Sequence, residues 1–255
     1  MTTLKNIYEF DRKKWKWPEV TAGIFGFISF TFILIQIQML ISVESYNPGF
    51  VSFFDLNKEK NVPAVFAALA LLLSAILLLV ITIKENNSKR YFWLVLSLIF
   101  FLLSADELLS FHERLIKPVR NYFSVSGYLY FAWVIPYGIA TAIITVLFFR
   151  FIFALPRRTK WLIIFSGIIY IIGALGFELL GGKQYVLDGE IQTLEFRILY
   201  TIEETFEMLG AVLFVYSLSD YLRRIRHLRV VNVLNYPNIF ESHIESNNRK
   251  TGTYK

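Results

Sequence analysis

Carboxylates stand inside or at the ends of long apolar runs in three separate parts of the sequence. A charged side chain costs free energy in hydrocarbon, so an ionisable residue inside such a run needs a partner or has a function. We take six of these acids as candidate metal ligands: Asp106, Glu107, Glu178, Glu203, Glu204 and Glu207. His112 and Glu113, which follow the first pair, are candidates for the rim of the site or for a second ion position.

Seven carboxylates gathered in one apolar region cannot all be ionised, dehydrated and unpaired, because repulsion and desolvation oppose the charged form. Three arrangements would relieve this: a bound divalent cation, protons shared between acids, or basic partners such as Arg114 and Arg197. Each arrangement predicts a different kind of protein.

A divalent cation is the cofactor that this set of side chains favours. Carboxylates with a single imidazole suit hard or borderline ions such as Mn, Fe, Mg, Ca or Zn. Di-iron and di-manganese helix bundles take ligands from Glu-x-x-His pairs, and the sequence has no such pair. The pattern therefore predicts a divalent-metal site without indicating redox chemistry.

Six apolar runs must position these acids. Each run is long enough for a helix to cross a bilayer, which takes about 20 residues. Their approximate bounds are 20–41, 62–84, from 91 into the stretch 103–115, 128–153, 161–180 and 199–222. We therefore predict an all-α, polytopic integral membrane protein with a six-helix transmembrane bundle. A basic segment (1–19) precedes the transmembrane domain (20–222), and a basic, then polar tail (223–255) follows it.

Lysine and arginine are distributed unequally between the two sides of this bundle. One side receives Arg12, Lys13, Lys14, Lys16, Lys84, Lys89, Arg90, Arg157, Arg158, Lys160, Arg223, Arg224, Arg226 and Arg229. The other side receives Lys58, Lys60, Arg114, Lys117, Arg120, Lys183 and Arg197. Cytoplasmic loops carry the excess of basic residues. Both termini are therefore predicted to be cytoplasmic, in the plasma or inner membrane.

With this orientation the acids of three non-adjacent spans fall in the outer leaflet, facing the extracytoplasmic side. The rise of about 1.5 Å per residue puts Asp106 and Glu107 roughly 8–9 Å below the outer boundary. Glu203 and Glu204 come out at a similar depth, while Glu178 is about 5 Å deep. The sequence thus predicts one site built from the third, fifth and sixth spans.

Helical phase refines this prediction. On the sixth span the three glutamates share an arc of about 100°, with Gly210 close by, and small residues also surround Glu178 on the fifth span. On a continuous third helix, Asp106 and His112 would be about 9 Å apart along the axis. We therefore expect Asp106 and Glu107 to join the buried acids, with His112 and Glu113 at the rim.

Several other functions lack support in the sequence. The chain has no cysteine, which excludes disulfides and thiolate metal sites. The net charge of +6 comes from residues that flank the apolar runs, so we expect membrane lipid rather than nucleic acid as the partner. No nucleotide-binding loop, G-x-S-x-G or H-E-x-x-H motif occurs.

Three functions remain open at this point. The first is a metal-dependent enzyme acting on a lipid or other apolar substrate. The second is a proton- or cation-coupled transporter that uses the same acids. The third is a structural or assembly subunit that binds other membrane-protein subunits, with its acids paired to arginines.

Overall fold

The computed structural model of the protein describes residues 16–41, 48–85 and 87–235. Within these ranges the regular structure is helical, and no strand occurs. Most of the predicted basic N-terminal segment and the end of the predicted tail lie outside the described residues.

Nine α-helices follow one another along the described chain. Their bounds are α1 Trp17–Ile41, α2 Pro48–Phe54, α3 Val62–Lys84, α4 Lys89–Leu109, α5 Phe111–Phe123, α6 Val134–Phe153, α7 Arg157–Ile171, α8 Glu178–Leu187 and α9 Leu194–Asn235. A 3-10 turn, Gly127–Leu129, precedes α6, and a π-helical segment, Ile172–Phe177, joins α7 to α8.

Five helical segments of the described chain are long and apolar enough to cross a membrane. They are α1, α3, α4, α6 and the continuous stretch Arg157–Leu187. This confirms a helical chain with several candidate membrane spans. The predicted sixth span lies within α9, which is not one of these five segments.

Helices α3 and α4 form a tightly packed hairpin that supports one wall of the site. Asn61 caps α3 by accepting a hydrogen bond from the Ala64 amide, with Pro63 in the first turn. Ser97 and Ser104 of α4 donate to carbonyl oxygens of α3, both at 2.8 Å. Such bonds between helices satisfy hydroxyls that hydrocarbon cannot.

The third predicted span is not one continuous helix, and this part of the prediction was wrong. Helix α4 ends at Leu109, and Ser110 has left-handed backbone angles (φ 52°, ψ 48°). Its amide still donates to the Asp106 carbonyl at 2.7 Å, so the chain turns sharply and begins α5 at Phe111. The turn brings His112 back toward Asp106 instead of carrying it away along the axis.

Two glycines let α9 approach the α7–α8 segment at backbone contact distance. A Cβ added at Gly173 would lie 2.8 Å from the Glu203 carbonyl oxygen, and one at Gly210 would lie 2.8 Å from the Tyr170 amide nitrogen. This close approach was expected from the small residues beside the acids. It places the glutamates of α9 directly against the π-helical segment.

The chain divides into two compact units, with the boundary between Ser219 and Asp220. The candidate site lies entirely in the first unit. In the second, Arg223 and Arg224 donate to the two carboxylate oxygens of Asp220, at 2.6 and 2.9 Å.

Candidate functional site

A cavity of about 840 Å³ lies between α4, α6, α7 and α9. All eight predicted site residues line it: Asp106, Glu107, His112, Glu113, Glu178, Glu203, Glu204 and Glu207. Much of the remaining wall is apolar, and includes Ile99, Phe100, Ile144, Phe148, Ile164 and Phe214. Its volume falls within the range of small-molecule sites, roughly 300–1,000 Å³.

Asp106 and His112 form the best-defined contact of the polar end. One oxygen of Asp106 accepts the His112 backbone amide at 2.9 Å, and the other contacts Nδ1 at 3.1 Å. The ring also packs against Trp133, with ring centroids 5.0 Å apart. Asp106 therefore fixes the orientation of the imidazole, as a carboxylate does for a catalytic or metal-binding histidine.

Glu59 completes this contact from the opposite side, and the sequence analysis missed it. One of its oxygens lies 3.7 Å from His112 Nε2, and the other accepts the Ser110 hydroxyl at 3.1 Å. Burial raises the pKa of Glu59, while the positive charge of His112 acts against that rise. In the sequence Glu59 stands between two lysines in a polar loop, so its spacing gave no signal.

A buried hydrogen-bond network holds the loop that carries Glu59. Gln36 of α1 accepts the Leu56 amide and donates to the Tyr200 hydroxyl, both at 3.2 Å. Tyr200 in turn donates to Asp55 at 3.2 Å, and Asn61 donates to the Asp55 carbonyl at 2.7 Å. The loop is thus tied to both α1 and α9, which explains how a loop residue reaches the site in a defined position.

Three aromatic side chains donate hydrogen bonds to the acids of the cavity. Trp133 Nε1 donates to Glu178 at 2.6 Å, and tyrosine hydroxyls contact Asp106 (from Tyr137) and Glu207 (from Tyr170). These donors stabilise the acids without neutralising them. The sequence analysis had assigned such aromatic residues to general packing.

Glu178 and Glu203 share a hydrogen bond across the contact between the π-helical segment and α9. Two carboxyl groups can share such a bond when one of them carries the proton. This contact is compatible with the shared proton, one of the three ways of relieving repulsion.

The two arginines that were expected as basic partners contact other groups. Arg114 donates to the Leu109 carbonyl at 3.2 Å and lies over the Phe111 ring. Arg197 donates to the Tyr200 hydroxyl at 3.5 Å. These contacts do not support arginine pairing as the means of stabilising the acid cluster.

Among the described residues, no group of three or more His, Asp or Glu side chains is arranged to hold a metal ion. The acids surround a shared space, but mutual repulsion favours side-chain positions that keep like charges apart. A divalent ion at this site therefore stays a prediction.

His112 is predicted to be a cation at neutral pH. Burial alone would lower its pKa, but the hydrogen bond and charge of Asp106, with the charges of Glu59 and Glu107, raise the pKa of His112 from 6.5 to about 9. Asp106→Asn should therefore move the pKa of His112 back toward 6.5. NMR titration of the labelled imidazoles measures this directly, with the other two histidines of the chain as internal references.

Asp188→Asn is the matched control, because Asp188 does not line the cavity. Since the pKa of His112 is higher in the folded than in the unfolded chain, its contribution to stability is complete below pH 6.5 and is lost as the pH rises through about 9. That pH dependence should weaken in Asp106→Asn. A pKa of His112 that is the same in both variants would contradict the assigned contact.

Comparison with known protein families assigns the chain to one of them. A family model matches residues 24–221, which cover most of the chain. The chain belongs to the family described as Domain of unknown function (DUF8692). The matched range contains every residue that lines the cavity, so the site lies wholly in the family domain. No curated protein and no solved structure matches the chain.

Proposed function

We propose that this protein is a membrane-embedded enzyme that acts on the polar head of a lipid or another amphiphile, with a divalent cation as cofactor. The observation that carries the proposal is the composition of the cavity. Acids and an oriented histidine occupy one end of a space whose other walls are apolar. A molecule that fits both ends has a polar head and a hydrocarbon chain.

The residues of the polar end suggest a division of roles. His112, oriented by Asp106, is the proton donor and acceptor, and its Nε2 is directed toward Glu59. The ligands for a cation would come from Glu107, Glu178, Glu203, Glu204 and Glu207. A divalent ion bound there would polarise the head group or activate water.

The proposal includes an orientation in the membrane. We place the protein in the plasma or inner membrane with six spans, the sixth in α9, and with both termini cytoplasmic. The distribution of lysine and arginine supports this orientation. The acid cluster then lies in the outer leaflet, so the substrate head would be processed on the extracytoplasmic side. Membrane lipid is the expected partner, and further protein subunits are not required by the proposal.

Loss of one buried acid should abolish activity and cation binding together. We expect wild-type protein in lipid nanodiscs to hold a divalent metal stoichiometrically and to alter a component of a total lipid extract. Glu207→Gln should lose both properties, because it removes one negative charge with little change in shape. Elemental analysis and lipid mass spectrometry are the measurements.

Glu195→Gln is the matched control, since Glu195 is an exposed glutamate on the same helix and does not line the cavity. Metal-free protein that leaves every lipid unchanged would contradict the proposal. Proton-driven flux in proteoliposomes that depends on Glu203 would favour a coupled transporter instead. The specific observation behind that second candidate is the hydrogen-bond contact between the buried carboxyl groups of Glu178 and Glu203.

A further inference from the structure

The apolar part of the cavity extends along most of α6. Residues of α6 from Tyr137 to Phe153 line it, a distance of about 24 Å at the rise of an α-helix. Facing side chains come from α4, α7 and α9 and include Leu96, Ile164 and Phe214. The polar end is therefore continuous with a long apolar arm, defined here as the part of the cavity between Thr141 and Phe153 of α6.

The side chains that line this arm differ in their exposed fraction. On α4 and α9 the lining side chains are buried or partly buried, as for Leu96 (9% exposed) and Phe214 (7%). On α6 and α7 many lining side chains are also exposed on the outside, as for Phe149 (54%) and Ile168 (48%). A side chain that lines a cavity and is also half exposed stands at an opening. The apolar arm thus opens sideways between α6 and α7.

In the proposed membrane placement the medium outside that opening is hydrocarbon, since α6 and the Arg157–Leu187 segment are both long and apolar enough to cross a membrane. An aqueous ligand would have to pass through lipid to use the opening. A membrane lipid can instead insert its chain directly, with its head already near the level of the acids. The acids outnumber the one histidine beside them, which favours a head group that carries a positive charge.

We propose that the apolar arm is a binding subsite for a single hydrocarbon chain, which enters from the bilayer through the opening between α6 and α7. The inference rests on the proposed function and specifies its substrate: a long-chain membrane amphiphile that reaches the acids laterally, chain first into the arm. The positively charged part of its head then lies beside Glu59 and Glu113, which line the same cavity and are not among the ligands proposed for the divalent cation.

Gly167 provides a direct test of the subsite. It lines the cavity on α7, and a Cβ added there would meet no atom within 4 Å. An added Cβ therefore meets open space, and we expect a larger side chain at this position to reduce the room in the arm. Gly23 of α1 is the matched control, because it also has open space around it and does not line the cavity.

The experiment measures uptake of deuterated lysophosphatidylcholine from phosphatidylcholine nanodiscs by native mass spectrometry. This probe has one chain and a quaternary ammonium head. Gly167→Leu should lower probe occupancy about tenfold or more, because the added side chain and the bound hydrocarbon chain would together overfill the arm. Gly167→Ala should have a smaller effect in the same direction, and Gly23→Leu should behave as the wild type. The alanine variant keeps the test valid if the leucine variant fails to fold.

Two further variants test the opening itself. Thr145→Trp and Ile168→Trp narrow it, so probe uptake should become roughly tenfold slower. Val146→Trp is the control, since Val146 is 75% exposed on the same helix and does not line the cavity.

These outcomes distinguish failure of the proposed subsite from failure of the proposed function. Wild-type uptake rates in both narrowed variants, or wild-type occupancy in Gly167→Leu, would overturn the lateral subsite while leaving the proposed function standing. A wild-type protein that takes up no probe would overturn the subsite, while the proposed function is decided separately by the cation and lipid analysis of Glu207→Gln. Uptake that follows the predicted pattern without any chemical change in lipids would support the subsite and contradict the enzyme.

Discussion

Glu204→Gln is expected to make the protein more stable and less functional at the same time. Glu204 lies in the cavity wall among Glu207, Glu107 and Glu59, all of like charge. A buried carboxyl group crowded by other acids opposes folding, because it must either keep its charge away from water or take up a proton. The glutamine side chain has nearly the same shape and neither cost. In the presence of a chelator we expect the variant to be more stable than the wild type by about 1–3 kcal/mol.

The order should reverse when a divalent cation is added. A ligand that binds the folded state stabilises it by about 2.7 kcal/mol at a hundredfold excess over its dissociation constant. The wild type should gain this stabilisation, and the variant should gain little because it has lost a ligand. Thermal unfolding in detergent, with chelator and then with Mn²⁺ or Mg²⁺, measures both effects.

Glu195→Gln again serves as the control, because it removes one glutamate charge from α9 at an exposed position away from the cavity. If Glu204→Gln were less stable than the wild type in chelator, the view that the Glu204 carboxyl group destabilises the metal-free fold would be wrong. An equal cation response in both variants would place the bound ion elsewhere. A variant that is more stable than the wild type in chelator and less stable with added cation would therefore identify Glu204 as a cation ligand more directly than loss of activity alone.

The sequence predicted much of the helical organisation because apolar runs determine membrane spans directly. The second span, predicted over 62–84, is helix α3, Val62–Lys84. Alternating spans also brought together acids that are about 100 residues apart, and the structure places all eight predicted residues around one cavity. Whether α9 crosses the membrane, and in which direction, stays a prediction.

Single-residue backbone features could not be predicted in the same way. Periodicity across residues 103–115 is compatible with one helix, yet Ser110 adopts left-handed angles and its side chain donates to Glu59. The turn depends on this tertiary contact and on the contact of Asp106 with His112. A non-glycine residue rarely takes this conformation without such support. The predicted 9 Å separation of Asp106 from His112 was wrong for that reason.

The π-helical segment Ile172–Phe177 is a second feature that the sequence pattern did not indicate. It inserts a wider turn just before Glu178 and so changes the direction of that side chain relative to a regular helix. Segments of this kind are often found at functional sites. Here the segment combines with Gly173 to set Glu178 against Glu203.

Gly210→Ala should be strongly destabilising although the substitution adds one methyl group. The added Cβ would lie 2.8 Å from both the Cβ and the amide nitrogen of Tyr170 and 2.9 Å from its Cα. Two of these three atoms belong to the backbone of α7, so no side-chain rotation relieves the clash. The helices must separate, and we expect a loss of about 1–3 kcal/mol, despite the higher helix propensity of alanine.

Gly138→Ala is the matched control for this change. Gly138 lies inside α6, and a Cβ added there meets no atom within 4 Å. Alanine at position 138 should therefore be neutral or stabilising by up to about 1 kcal/mol. Thermal unfolding of the two variants under identical conditions isolates the cost of the clash, and equal unfolding temperatures would contradict the close approach of α7 and α9.

The same substitution should also weaken the site without touching a charged group. Tyr170 contacts Glu207 by a hydrogen bond, and Gly173, three residues further, packs against Glu203 and Glu207. Separation of α7 from α9 pulls these partners apart and widens the acid end of the cavity. Gly210→Ala should therefore bind cation and lipid probe more weakly than Gly138→Ala even at temperatures where both remain folded, because the acids are positioned by the contact between these two helices.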